Sequence, residues 1–143
     1  MSADPLKTLE PLFRIRSLRF AYDADPVLDL EELEIPGGGV TVLIGPNGSG
    51  KTTLLKLLNG LFTASGGSVL YRGLPLNAQT LPGLRRESVL VHQDPYLFDG
   101  SVYGNVSYGL KLRRTSAQEA RRITAEALRT VGLDGFGVSC STG

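Results

Sequence analysis

The most constraining stretch of the chain is Gly45-Pro46-Asn47-Gly48-Ser49-Gly50-Lys51-Thr52, which fits G-x-x-x-x-G-K-[ST] without a mismatch. Before it lies an uncharged run with Val40, Val42, Leu43 and Ile44, read as a short strand covered on both faces. After it come Leu54, Leu55, Leu57, Leu58 and Leu61, three or four residues apart as on one face of a helix. Strand, glycine loop and helix are the order that such a loop requires. The glycines permit a compact turn whose backbone N–H groups face phosphate oxygens. The loop opens the helix, so unpaired N–H groups and the positive end of the dipole meet the same anion. Lys51 can reach the β- and γ-phosphates as a point charge, Thr52 can offer its hydroxyl to Mg²⁺, and Thr53 can donate further to phosphate. Gly45 to Thr53 is therefore read as a nucleoside triphosphate site.

Composition narrows the setting of that loop. With 143 residues, 41% hydrophobic and 20% charged, the chain can build a domain core and is neither disordered nor fibrous. A formal net charge of +1 gives no global attraction to nucleic acid, and no direct nucleic-acid partner is expected. The one cysteine, Cys140, excludes an intrachain disulfide and fits a reducing compartment. The start, MSADPLKTLEPL, shows no basic segment followed by a long apolar run, so no secretory signal is expected. No apolar stretch reaches the length of a membrane span. Membrane association is accordingly expected to come through a partner.

Upstream of the loop, residues 1–11 read as a polar lead-in. Phe13, Ile15, Leu18 and Phe20 alternate imperfectly with Arg14, Arg16 and Arg19, which predicts a half-exposed strand. Residues 21–26 read as a turn, and 27–35 as a second strand, antiparallel to the first and stopped at Pro36-Gly37-Gly38-Gly39. Downstream, 63–67 reads as a turn, 68–71 as a short strand, 72–77 as a turn and 81–87 as a short helix or turn. Ser88 to Gln93 predicts a second buried strand. Two helices follow, over 101–112 and 116–131. Ser116 and Glu119 form a capping-box pattern, Ala120, Ile123, Ala127, Leu128 and Val131 supply an apolar face, and Gly132 marks the stop. The fold class is α/β: antiparallel N-terminal strands joined to a parallel-sheet core with helices.

Some flanking side chains bear on the site. Tyr22, placed in the turn between the first two strands, can stack on a nucleotide base or pack against the fold. Gln93, at the end of the second buried strand, lies where open α/β sheets form their ligand crevice. Its amide can ligate Mg²⁺ or orient water, or simply end a strand. The sole histidine, His92, has no accompanying metal-ligand cluster and reads as a packed or partly exposed side chain. Lys111, Arg113, Arg114, Arg121 and Arg122 are interrupted by Glu119 and Glu126 and read as a solvated helix face.

Taken in order, these features resemble the ATP-binding subunit of an ABC transporter of the importer type, over nearly the whole chain. Tyr22 resembles the aromatic residue of the family's base-stacking loop. GPNGSGKTT, Gly45 to Thr53, matches the family's form of the Walker A loop. Gln93 in VHQDPYLF matches the Q-loop glutamine, which in the family touches Mg²⁺ where the nucleotide domain meets the membrane subunit. SVYGNVSYGLKLRR, Ser101 to Arg114, looks like the segment after the Q-loop. The resemblance implies ATP and Mg²⁺ as cofactors, with Lys51 and Gln93 serving catalysis and Thr52 and Gln93 the metal. It implies a second nucleotide-binding subunit, transmembrane permease subunits, a solute-binding protein, and a cytoplasmic place on the inner face of the membrane. The flavour of LFDGSVYGNVSYGLKLRR is similar to uptake systems for oxyanions such as tungstate.

The family also has an LSGGQ-like signature, a Walker B strand ending in Asp-Glu and a switch histidine, and none of these stands in the chain. The expectation is that residues 1–143 are the N-terminal part of a nucleotide-binding domain, cut before the signature. A full-length counterpart is then expected to hydrolyse ATP, and this chain alone to do so poorly. Two other readings share the loop: a soluble ATPase of the same type acting on nucleic acid or ribosomes, and a nucleotide-binding or dimerising module without catalysis.

Overall fold

The computed structural model describes residues 10–136. They fall into two compact units divided between Val91 and His92. The expectations for residues 1–9 and for Cys140 lie outside the described residues.

The first unit begins with a long hairpin of β1 (Pro11–Tyr22) and β2 (Asp25–Pro36). Their pairing is antiparallel, with Ile15 opposite Leu33, Leu18 opposite Leu30 and Phe20 opposite Leu28. The intervening pairs carry opposite charges: Arg14–Glu34 at 2.6 Å, Arg19–Asp29 at 3.5 Å and Arg16–Glu32 at 3.9 Å. One face is thus apolar and the other is laced with exposed ion pairs, each worth at most about 1 kcal/mol. The predicted turn over 21–26 narrows to Asp23 and Ala24, and Tyr22 becomes the last residue of β1, opposite Asp25.

The imperfect alternation in β1 has a structural cause. Ser17 adopts a left-handed conformation (φ 48°), and the pairing of β1 with β3 (Gly66–Tyr71) slips between Arg16 and Arg19. The slip lets Ile15 and Leu18, three residues apart, face the same core, and both are fully buried. Gly67 lies directly against this bulge: a Cβ there would come within 2.1 Å of the Ser17 carbonyl oxygen, and its φ is +79°. Gly67→Ala is expected to destabilise the unit by about 3 kcal/mol through clash and backbone strain. Urea unfolding should show it as a lower midpoint at unchanged slope.

β3 turns through Arg72 and Gly73 into the short β4 (Leu74–Pro75), completing a sheet of order β2-β1-β3-β4. Helix α1 (Lys51–Leu58) follows the glycine loop, and the stretch expected to be a short helix or turn is the helix α2 (Leu81–Glu87). Leu54, Leu57 and Leu58 join Phe13, Ile15, Leu18, Phe20, Leu28 and Leu84 in the core. Leu55 and Leu61 are exposed, and the helix ends before Leu61, so the apolar stripe is narrower than the leucine spacing implied.

The expected parallel-sheet core does not appear: every ladder among the described residues is antiparallel. Residues 40–44 and 88–93 are not strands. Val40, Val42 and Ile44 are 94, 72 and 88% exposed, and Val89 and Val91 are exposed as well. An apolar run signals a preference for burial, but a strand exists only where a neighbour supplies its hydrogen-bond partners. Among the described residues no such neighbour pairs with either run.

The second unit packs α3 (Val102–Leu112) against α4 (Ala117–Thr130), ahead of a 3₁₀ turn over Asp134–Phe136. Ser101 caps α3 by accepting from the Gly104 N–H at 3.0 Å. Ser116 caps α4 by accepting from the Glu119 N–H at 3.3 Å. The reciprocal half of the predicted capping box is replaced by ion pairs of Arg122 with Glu119 and Glu126. The Arg122 hydrogen bond holds the Glu119 carboxyl below its ordinary range. Gly132 ends α4 as expected (φ 73°): its N–H reaches the Arg129 carbonyl and that of Leu133 the Leu128 carbonyl. The buried face of α4 is Ala120, Thr124 and Leu128, whereas Ala127 and Val131 are exposed. Among the described residues no helix is long and apolar enough to cross a membrane.

Candidate functional site: a phosphate-binding loop

The loop itself forms as its sequence demands, although no strand precedes it. Ser49 N–H closes a turn onto the Pro46 carbonyl at 3.3 Å, and Gly48 takes φ 81°. Gly50 is the N-cap of α1 in left-handed conformation (φ 83°), and no side chain caps the helix. The first free backbone N–H groups of α1 are therefore left for an external acceptor. A Cβ on Gly50 would lie 2.6 Å from Leu28 Cδ2 and 3.2 Å from the Val27 carbonyl oxygen. Glycine is needed there both for its φ and for the seating of the loop on β2.

Lys51 arches back over the loop. Its Nζ donates to the Pro46 carbonyl at 2.6 Å, to the Gly45 carbonyl at 2.8 Å and to Ser49 Oγ at 3.4 Å. The ammonium is held at the loop's centre by acceptors that leave its charge uncancelled, because none is a carboxylate. Residues 45–49 and Thr52 are exposed, Gly50 and Lys51 half-buried, and Thr53 buried. Free backbone donors at the start of α1 and a positive charge tied to the loop are thus combined in one stretch, chemistry suited to an acceptor-only anion such as a phosphate chain. Thr52, exposed at the second position of α1, is free to direct its hydroxyl at a cation carried by that anion.

Tyr22 stands beside this loop. Its hydroxyl lies 3.3 Å from Thr53 Oγ1. Its ring meets Phe20 edge-on at 5.0 Å and Phe62 edge-on at 5.7 Å, while Phe20 and Phe62 stack on each other at 5.3 Å. Tyr22 is 43% exposed as a residue, so it is held by packing and still offers surface to a ligand. The structure thus brings together Tyr22, Gly45, Pro46, Asn47, Gly48, Ser49, Gly50, Lys51, Thr52 and Thr53 within the first unit. Phe20, two residues before Tyr22, is marked by strand periodicity, but the supporting roles of Phe62 and Leu28 have no local signal.

Gln93 belongs to the second unit and sits exposed at a bend, so the strand end predicted for it is not formed. His92 is exposed too. A few residues on, the Asn105 amide grips the Phe98 backbone, accepting its N–H at 2.8 Å and donating to its carbonyl at 2.9 Å. This orders the 98–101 turn onto α3 and brings Phe98 against Tyr108, ring centres 4.4 Å apart. Lys111, Arg113, Arg114, Arg121 and Arg122 are exposed, in keeping with a solvated face. Among the described residues no group of three or more His, Cys, Asp or Glu could hold a metal by itself.

The family profile described as ABC transporter matches residues 28–140. The tungstate uptake system ATP-binding protein TupC of Peptoclostridium acidaminophilum is 35% identical over 120 residues, covering 84% of this chain and 54% of that protein. The solved structure of cbiO1 from Clostridium perfringens, part of the ABC transporter complex cbiONQ, superimposes with a TM-score of 0.74 at 28% identity. That match covers 92% of this chain and 56% of the other. The chain spans about half the length of the relatives it matches.

Proposed function

The chain belongs to the ABC transporter family, and from that premise we propose that residues 45–53 bind the phosphate chain of ATP with Mg²⁺. The observation that carries this reading is the uncapped start of α1 beside the centred Lys51 ammonium. On binding, the longest of the lysine's contacts, that to Ser49 Oγ, is the one most readily exchanged for a phosphate oxygen. Backbone N–H groups of the loop and of the first turn of α1 take the remaining oxygens, and Thr52 would hold Mg²⁺, which would neutralise charge on the phosphates. The exposed part of the Tyr22 ring covers the base.

In a protein of the relatives' length, the same donors would stabilise the charge that develops during ATP hydrolysis, and the hydrolysis would drive solute import. Permease subunits, a second nucleotide-binding subunit and a solute-binding protein would complete the system, with this chain on the inner face of the membrane. Gln93 is proposed, on the family resemblance of VHQDPYLF, as a residue that touches Mg²⁺ and lies where the permease is met. An oxyanion such as tungstate is the proposed solute, supported by the likeness to the tungstate uptake protein.

Calorimetric titration with Mg-ATP, run beside a phosphate-release assay on the same preparation, tests the reading. Saturable binding of one nucleotide per chain, weakened by removal of Mg²⁺, is expected. Absence of saturable binding at millimolar ATP would sink it.

A further inference from the structure

The contact between Tyr22 and Thr53 joins two parts of the site that otherwise have separate tasks. Tyr22 ends β1 and presents its ring, while Thr53 is the third residue of α1, in the turn whose N–H groups face the loop. Their hydroxyl oxygens lie 3.3 Å apart, and either can donate. Thr53 is 7% exposed, so the partner of its hydroxyl matters. The Tyr22 ring cannot swing away freely, because Phe20 and Phe62 meet it edge-on and are themselves stacked. Lys56 Nζ lies over the Phe62 ring at 5.2 Å, tying that support to α1 as well.

Two proton arrangements are open to such a pair. If Thr53 donates to Tyr22, the threonine turns only lone pairs toward the loop, which repel a phosphate. If Tyr22 donates to Thr53, the threonine proton is free for a phosphate oxygen, which can only accept. A phenol is also the stronger donor of the two hydroxyls, and each bond in such a chain strengthens the next.

We infer that Tyr22 and Thr53 form a donor relay, Tyr22 O–H to Thr53 Oγ1 and Thr53 O–H to phosphate, so that Tyr22 acts on the phosphate chain as well as on the base. Thr53 is then the phosphate-contacting residue and Tyr22, in this second role, a positioning residue. The inference rests on the proposed binding of ATP at this loop. Stacking alone makes the tyrosine hydroxyl dispensable, whereas the relay makes it matter even for a ligand that has no base.

Inorganic tripolyphosphate is therefore the discriminating probe, titrated calorimetrically alongside Mg-ATP with the thermal midpoint of each variant recorded. Tyr22→Phe, which keeps the ring, is expected to weaken both ligands by about three- to tenfold, as for one lost hydrogen bond. Thr53→Val is expected to weaken both at least as much and to abolish the effect of Tyr22→Phe in the double variant. Thr53→Ser, which restores the hydroxyl, is expected to behave as wild type, separating loss of the relay from loss of folding. The relay is overturned if Tyr22→Phe leaves tripolyphosphate affinity unchanged, or if its effect persists undiminished in the Thr53→Val background. Failure of the ATP-site reading looks different: wild type binds neither ligand, or Lys51→Ala binds both as well as wild type, and the relay falls with it.

Discussion

Lys51→Ala is expected to lower Mg-ATP affinity by about 30-fold or more, the loss of a charge-assisted contact to phosphate costing about 2–5 kcal/mol. The size follows from the position of the ammonium. It is centred by the Gly45 and Pro46 carbonyls at 2.8 and 2.6 Å, so it meets the phosphate chain with little further ordering of its own side chain. Alanine removes both the positive charge and the tie that holds the loop's two ends together. Loop residues 45–49 are exposed and outside the hydrophobic core, so global stability should change by less than about 1 kcal/mol. Equilibrium titration with a fluorescent ATP analogue, paired with urea unfolding, reads the two quantities separately. Wild-type affinity in the variant would remove the lysine from the site.

Leu57→Ala is expected to act the opposite way, through the scaffold. Leu57 is 2% exposed and sits in the shared core with Ile15 and Leu18. Truncation should cost about 2–5 kcal/mol through lost burial and the cavity left behind. Helix α1 has eight residues, well short of the roughly 12–15 that an isolated helix needs even to be marginal in water. Its buried face, Leu54, Leu57 and Leu58, is therefore what keeps its N-terminus, and with it the phosphate donors, in place. Urea unfolding should give a markedly lower midpoint, and saturating ATP should recover part of the loss because it binds only the folded form. A variant as stable as wild type would mean that α1 does not depend on this packing.

The contrast between these variants mirrors what could be read from the residues. The loop was legible because its instructions are local. Gly48 and Gly50 take positive φ, Gly50 passes directly into a helix, and Lys51 folds back over residues that it follows by five or six positions. Helix limits with caps were legible for the same reason: Ser101, Ser116 and Gly132 each act on neighbours in sequence. The β1–β2 hairpin was legible as two antiparallel strands, although its turn proved shorter than the polar composition of 21–26 suggested. The Ser17 bulge appeared in the sequence only as an irregular alternation, and the residue that leaves room for it, Gly67, lies across the sheet.

Residues close in sequence were enough to specify the compact glycine loop, the helix that it opens, the caps of the later helices and the family to which these belong. Each depends on conformations and hydrogen bonds spanning a few residues. Tertiary structure decided which apolar runs become strands and which aromatic groups stand around the site. Val40 to Ile44 and Ser88 to Gln93 have the composition of buried strands, yet they form no ladder, because pairing requires a partner that no property of the run itself provides. The placement of Phe62 against Tyr22, of Leu28 beneath Gly50 and of Thr53 against the tyrosine hydroxyl likewise comes from distant segments meeting on one core. Local backbone preference wrote the loop, and long-range packing set what surrounds it.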